Sequence, residues 1–448
     1  MPGNQRPTAI IGMGATGLSC VRHFAARGLP CVVMDTRPAP PAEAELRNNW
    51  PDIPCFTGGL NAAALAGADE VIVSPGLALD LPELHDAIAA GARVVGDIDV
   101  FMRSATAPVV GITGSNGKST VTELAGVLVE AAGRRAAVGG NLGPPALDLL
   151  DGETVDYYVL ELSSFQLERA GKLGLAVAVL LNIEADHLDR YADMEAYARA
   201  KAHIFEGSGC AVVNLDDHRA QALSRHCTRR IGFSLQEDGP AELGIVRHAG
   251  DAHLAVNGEA LLPVAELRLA GRHNVANVLA ALAIVHALDL PLRSAPVADA
   301  LRNFEGLPHR CRSVGRACGA EWFDDSKGTN VSAACAAVAG IFAGRGGVLI
   351  AGGDGKGADF APLAGAVRGR VHDVILIGRD AGRIAAVLDT TVNVHRAASL
   401  EDAVELAAAL AGEDEAVLLS PACASFDMFD DYRHRGRVFT AAVRGLAG

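Results

Sequence analysis

Short runs of β-branched and other apolar residues alternate with Ala- and Leu-rich stretches of helical period from one end of the chain to the other. That rhythm predicts βαβ units and parallel sheets with helices on both faces. Strands are expected at 8–11, 31–34, 70–73, 109–113, 157–161, 176–181, 211–214, 347–351, 374–377 and 416–419. Several are apolar at every position, as strands covered on both faces are. The most apolar stretch, 275–290, contains Asn277, His286 and Asp289. It reads as a buried helix, since a membrane span needs about 18 uninterrupted apolar residues. The pattern breaks near 96–108, where a new strand–loop–helix unit begins, and near 304–311, at Gly306-Leu307-Pro308. These breaks divide the chain into three units, 1–97, 98–303 and 304–448.

Length agrees with that division, since 448 residues at roughly 150 per domain allow about three. Hydrophobic residues make up 50% and charged residues 21%, enough to bury cores and too apolar for disorder. The net charge of −14 argues against a nucleic-acid binder with a broad basic face, and 4% aromatics leave few stacking platforms. The nine cysteines are scattered without Cys-x-x-Cys spacing, which disfavours zinc and dithiol chemistry. With a polar start at Met1 to Pro7 and no signal-like run after it, this suggests a reducing cytoplasm. The 50 glycines cluster after apolar runs, as in proteins with phosphate loops.

Two clusters carry chemistry. Gly12-Met13-Gly14-Ala15-Thr16-Gly17 follows a strand and opens a helix, and Asp35 ends the next strand. This is a dinucleotide fingerprint: glycines let a diphosphate approach, and an acid suits a ribose hydroxyl. A nicotinamide or flavin cofactor, another nucleotide, or a structural turn would each account for it. Ser74-Pro75-Gly76 lies at another strand's carboxyl end and reads as a Pro-Gly turn unless a ligand sits there.

Gly111-Ile112-Thr113-Gly114-Ser115-Asn116-Gly117-Lys118-Ser119-Thr120 is the stronger signal. Its backbone N–H groups can cradle phosphates, Lys118 can reach the terminal phosphates, and the next hydroxyl can hold Mg²⁺. It departs from the strict P-loop in having Ile112 where the first glycine stands. Glu161 closes an apolar strand, where a sheet presents a metal ligand beside such a loop; the alternative is helix capping by Ser164. Asn182-Ile183-Glu184-Ala185-Asp186-His187 also follows a strand, and its His and acids could bind a second metal or a substrate. Lys201, in a helical stretch over 195–206, is by itself an ordinary lysine.

Together these motifs resemble the Mur ligases and the folylpolyglutamate synthetases. Glu161-Leu-Ser-Ser-Phe-Gln-Leu-Glu, Asp186-His187-Leu-Asp-Arg190-Tyr191, Gly271-Arg-His-Asn274-Val-Ala-Asn277 and Gly306-Leu-Pro-His-Arg310 resemble the D-glutamate-adding branch. Asp324-Asp325-Ser326-Lys327-Gly328-Thr329-Asn330 and Leu419-Ser-Pro-Ala-Cys-Ala-Ser425-Phe426-Asp427 extend the likeness over nearly the whole chain. The resemblance implies an α/β protein of three domains: a Rossmann-like first domain, a central P-loop ATPase-like domain with a mainly parallel sheet, and a Rossmann-like third domain. It implies ATP-dependent addition of D-glutamate to UDP-N-acetylmuramoyl-L-alanine through an acyl phosphate, in cytoplasmic peptidoglycan precursor synthesis. Under it the first domain holds the uridine diphosphate of that substrate, through Thr16, Asp35, Thr36, Arg37, Ser74 and Gly76, with Asn141 and Ser163. ATP falls to Gly114, Ser115, Asn116, Gly117, Lys118, Ser119, Thr120, Asn274, Arg310 and Asp325. Mg²⁺ falls to Ser119, Glu161, His187 and an N6-carboxylated Lys201, with Lys118, His187 and Lys201 catalytic. D-Glutamate falls to Lys327, Thr329, Lys356, Ser425, Phe426 and Tyr432. The same resemblance implies a monomer without nucleic-acid or membrane partners. Ala15, Gly328, Phe426 and Tyr432 depart from the usual residues. The alternatives are a sibling ligase adding another amino acid, an NAD-dependent dehydrogenase, which leaves the P-loop without a role, and a nucleotide switch, which leaves Glu161 and His187 without one.

Overall fold

The computed structural model describes residues 6–446 apart from 78, 188–189, 270 and 389–391. Three sheets follow one another along the chain. The first has strands β1 (Thr8–Ile11), β2 (Cys31–Asp35), β3 (Cys55–Thr57), β4 (Glu70–Val73) and β5 (Arg93–Val95), in the order β3-β2-β1-β4-β5. All its pairings are parallel. The order reverses between β1 and β4, and the crevice at such a switch point is where an open α/β sheet takes its ligand.

The second sheet has nine strands: β6 (Val109–Thr113), β7 (Ala136–Gly140), β8 (Tyr157–Glu161), β9 (Val177–Leu180), β10 (Cys210–Asn214), β11 (Arg230–Glu237), β12 (Leu243–His248), β13 (Asp251–Val256) and β14 (Glu259–Pro263). Strand β6 lies between β8 and β9, with Ile112 opposite both Glu161 and Val179. The loops leaving these three strands therefore emerge side by side. The apolar helix Arg272–Ala287 packs behind the sheet against the helix Lys118–Ala131, which starts at the phosphate loop. Its Leu279, Leu282, Ile284 and Val285 are fully buried, each worth about 1.5–3 kcal/mol of transfer free energy.

The central sheet is mainly parallel, as expected, and the pattern of β-branched runs named no strand in its antiparallel part. Strands β12, β13 and β14 pair antiparallel, through turns at Ala249-Gly250 and Asn257-Gly258. Both residues of each turn have positive φ, as two-residue hairpins require. Strand β14 is the sheet's edge, and the Arg293 guanidinium donates to its Ala260 and Glu259 carbonyls at 3.1 and 3.4 Å.

The third sheet contains β15 (Arg312–Ala317), β16 (Ala320–Asp324), β17 (Gly347–Gly352), β18 (Asp373–Ile377), β19 (Asn393–Arg396) and β20 (Ala416–Leu419), in the order β15-β16-β20-β17-β18-β19. Only β15 runs antiparallel to its neighbour. Among the described residues, no helix is long and apolar enough to cross a membrane.

Candidate active site

The phosphate loop springs from the end of β6, and its helix begins at Lys118. Gly117 caps that helix at φ +83°, and a Cβ there would collide with the Asn277 side-chain oxygen. Only glycine suits both demands. Lys118 Nζ folds back over the loop and donates to the carbonyls of Gly114 (2.9 Å) and Ser115 (3.0 Å). Ser119 Oγ donates to Glu161 at 2.5 Å and accepts from Arg310 at 2.6 Å, while Asn141 donates to the other Glu161 oxygen at 2.6 Å. Burial alone would raise the Glu161 pKa. Lys118, the Ser119 and Asn141 hydrogen bonds and Arg310 outweigh it and hold the carboxylate below its ordinary range. Burial depresses the Lys118 pKa, against the pull of Glu161 and Asp186.

Lys201, on the helix Met194–Ala202, is only 2% exposed. Its Nζ donates to Gly114 O at 2.9 Å and approaches Thr113 Oγ1 at 3.4 Å, 4.7 Å from the Tyr197 ring centre. Burial, reinforced by Lys118, holds its pKa well below the ordinary lysine value, which favours a neutral amine. His187, at φ +55°, sets its ring edge-on to Phe165 at 4.9 Å and 6.3 Å from the Tyr197 ring. His187 and Lys201 thus border the same tyrosine. Burial lowers the His187 pKa and leaves a neutral imidazole able to ligate. Leu188 and Asp189 of this motif lie outside the described residues.

Among the described residues, no three His, Cys, Asp or Glu side chains group as a metal site. The ionised Glu161 beside the Ser119 hydroxyl nevertheless suits a hard cation that completes its shell with phosphate and water oxygens. Glu184, expected as a metal or substrate ligand, is engaged elsewhere: its carboxylate accepts from Asn116 Nδ2 at 2.7 Å and from the Ser332 hydroxyl.

From the third sheet come Arg310, Asp325 and Lys327. Asp325 accepts from Ser420 Oγ at 2.7 Å and the Cys311 amide at 3.2 Å, and burial raises its pKa to about 7. A Cβ on Gly328 would meet Ser420 Oγ at 2.7 Å and press on the Asp325 carboxylate, which accounts for glycine here. Lys327 Nζ rests 4.2 Å above the Tyr432 ring, and burial lowers its pKa to about 8. Thr329 follows on the same loop, its amide donating to Lys327 O at 2.7 Å. Ser425 is buried, Phe426 is 70% exposed, and Lys356 is exposed with φ +48°. Lys356 is near enough for its charge to help depress the His187 pKa. Asn274 is buried at the start of its helix and accepts from Asn277 at 3.1 Å.

At the crevice of the first sheet, a Cβ on Gly12 would meet Ser74 Cβ at 2.7 Å, so the two loops touch. Thr16 lies in the first turn of the helix Ala15–Ala26, and Thr36, Arg37 and Gly76 are exposed around it. Asp35 is 1% exposed. One of its oxygens accepts from the Arg37 amide (2.8 Å) and Nε (2.9 Å), the other from the Met13 amide and Arg37 guanidinium (both 2.7 Å). Four donors hold its carboxylate, two of them from the Arg37 side chain, which is itself more than half exposed. Ser163, not Ser164, caps the helix Ser164–Arg169, accepting from the Gln166 amide at 3.2 Å.

Four other residues shape the site in roles that the sequence reading did not assign them. Asn182 Oδ1 accepts from the Asn116 amide at 2.8 Å, and the Tyr197 hydroxyl lies 3.1 Å from Ser115 Oγ. His309 Nδ1 meets Asp324 at 2.6 Å. Arg435, fully buried, donates to Ser326 O at 2.8 Å and Cys423 O at 3.2 Å, tying together the loops that carry Lys327 and Ser425.

Comparison with known proteins is consistent along the chain. Family models match for a Mur ligase MurD-like N-terminal domain at residues 6–96, a Mur ligase middle domain at 112–285 and a Mur ligase glutamate ligase domain at 309–423. The UDP-N-acetylmuramoylalanine--D-glutamate ligase of Marinobacter nauticus is 48% identical, covering 99% of this chain and 99% of that one. The enzyme of the same name from Pseudomonas aeruginosa is 49% identical, covering 98% of each. Among solved structures, the UDP-N-acetylmuramate-alanine ligase of Thermotoga maritima superposes with a TM-score of 0.63 at 19% identity, covering 98% of this chain and all of that one. A folylpolyglutamate synthase from Mycobacterium tuberculosis gives 0.58 at 19% identity, over 78% of this chain and 94% of that one. At such identities these two likenesses speak for the fold alone.

Proposed function

The chain belongs to the Mur ligase family, and from that premise we propose that it joins D-glutamate to UDP-N-acetylmuramoyl-L-alanine with hydrolysis of ATP, as a cytoplasmic monomer in peptidoglycan precursor synthesis. The observation that carries the reading is the meeting at Ser119 of an acid from the central sheet, Glu161, with an arginine from the third, Arg310. A nucleotide switch would leave His187 and the motifs of the third unit without a role.

A free carboxylate is a poor acyl donor, because its charge is delocalised and oxide is a bad leaving group. Transfer of the γ-phosphoryl group of ATP to the L-alanyl carboxylate turns that oxygen into a phosphate leaving group. The D-glutamate amine then attacks the carbonyl carbon, the C–O bond to phosphate breaks, the amine loses a proton, and an amide remains. The first step brings two anions together, so it needs positive charge fixed in place beforehand. Lys118 and Arg310 provide it from this chain. Ser119 and Glu161 would hold one Mg²⁺, and His187 with a carboxylated Lys201 a second, and such ions would further neutralise the phosphate oxygens.

Carboxylation fits the Lys201 environment. A buried ammonium there would repel a cation. A neutral amine can attack the carbon of CO₂, forming an N–C bond and releasing a proton, and becomes an anionic oxygen donor. Lys327, with its lowered pKa and its aromatic support from Tyr432, serves D-glutamate together with Thr329, Lys356, Ser425 and Phe426. Residues 1–97 take the uridine diphosphate, 98–303 the ATP and 304–448 the amino acid. The glycine loop of the first sheet suits the diphosphate of either nucleotide, and the ligase motifs from Glu161 to Asp427 favour the uridine ligand over NAD.

The direct test is phosphate release from ATP with UDP-N-acetylmuramoyl-L-alanine, comparing D-glutamate with L-glutamate, L-alanine and diaminopimelate. Turnover confined to D-glutamate is expected. Equal or better turnover with another amino acid would make the chain a sibling ligase.

A further inference from the structure

Glu184 is a member of the Asn182–His187 motif to which the proposed chemistry gives no role. It follows β9, beside the phosphate loop, and both backbone and side chain clasp that loop. Its amide donates to Ser115 Oγ at 2.9 Å, its carbonyl accepts from the same hydroxyl at 3.0 Å, and its carboxylate accepts from Asn116 Nδ2 at 2.7 Å. The same carboxylate oxygen accepts from the hydroxyl of Ser332, in the first turn of the helix Val331–Ile341 of the third unit. Asn330, which caps that helix through the Ala333 amide at 2.8 Å, also donates to Asn116 Oδ1 at 3.3 Å and approaches Asp186 at 3.5 Å. Both polar ends of the Asn116 side chain are therefore held, one directly and one through Glu184, by the same helix start more than two hundred residues away in sequence.

We propose that Glu184 is a positioning residue that couples docking of the third unit to the shape of the phosphate loop. The path runs Ser332–Glu184–Asn116. When the helix start sits down, the Ser332 hydroxyl fixes the carboxylate, the carboxylate fixes the Asn116 amide, and the loop amides are held ready for phosphate. The proposal rests on the reading of the loop as an ATP site, and its test separates the two.

The test is a double-mutant cycle on the full chain with Ser332→Ala, Glu184→Ala and the pair, with Ser332→Thr as the conservative rescue. Two quantities are read: ATP affinity by calorimetry, and backbone amide exchange over residues 114–120 without ligand. Ser332→Ala should weaken ATP binding about fivefold and speed exchange in the loop, because one hydrogen bond is lost. Both effects should vanish in the Glu184→Ala background, and Ser332→Thr should restore them. In steady state the loss should fall on the KM for ATP and spare the KM for D-glutamate. Unchanged loop exchange in Ser332→Ala, or effects of equal size in both backgrounds, would overturn the coupling. If the unaltered protein fails to bind ATP at all, it is the functional reading that falls, and the exchange cycle alone then decides the coupling.

Discussion

Lys118 spends its hydrogen bonds on the loop it belongs to, at the carbonyls of Gly114 and Ser115, so nothing in the core depends on its side chain. Lys118→Ala should leave the protein folded while ligation falls by on the order of 10²–10³, the usual loss for a charge contact made in the transition state. Near-normal phosphate release in that variant would take the loop out of the chemistry. Lys201 shares the Gly114 carbonyl but differs in burial, and its depressed basicity is what makes CO₂ capture possible. Protein equilibrated with ¹³C-bicarbonate should give a carbamate carbon signal that disappears in Lys201→Ala. A spectrum identical for the two proteins would leave Lys201 a plain buried amine.

Single elements show where physical chemistry is written locally and where it is not. The runs at 8–11, 70–73, 109–113, 157–161 and 416–419 are strands over those same residues, because a strand buried on both faces announces itself as unbroken apolar sequence. Strands β11 to β14 escaped that reading, since each has a wet face and mixes Arg, Glu and His among its apolar positions. Asn257-Gly258 between alternating residues was the available signal. Chemistry was legible on the same terms. The glycines, Lys118 and Glu161 stand at strand ends in one stretch of sequence each, whereas the roles of Asp35, Glu184 and Arg435 depend on partners that only the fold brings near. At the helix Ser164–Arg169 the cap belongs to Ser163, in a reciprocal pair with Gln166. Ser163→Ala should cost about 1 kcal/mol, seen as earlier thermal unfolding, and Ser163→Asp should recover most of it.

The first and second sheets meet at Asp97, which starts the helix Asp97–Ser104 and accepts from Gln166 Nε2 at 3.2 Å, while its other oxygen is buried without a partner. Burial raises its pKa to about 6, above the unfolded value. Between pH 4 and 6 the folded chain thus keeps a proton the unfolded chain has lost, so stability from this group falls as pH rises through that window. Asp97→Asn, which keeps the acceptor for Gln166, should stabilise the protein by on the order of 2–3 kcal/mol above pH 7 and by nothing below pH 4. A gain independent of pH would mean that the charge is not the cause. For the molecule as a whole, titration with UDP-N-acetylmuramoyl-L-alanine and with NAD should give binding of the first and none of the second, because the motifs from Glu161 to Asp427 are those of a ligase and leave NAD without a role. Tight NAD binding alone would revive the dehydrogenase. The guanidinium of Arg293 matters at this scale too. An edge strand with bare carbonyls is a template on which another chain can grow a sheet. At β14 two of those carbonyls are already occupied from within the same molecule, and a net charge of −14 keeps copies apart. At that edge of the widest sheet, part of the template for strand addition is thereby taken up by the molecule's own side chain.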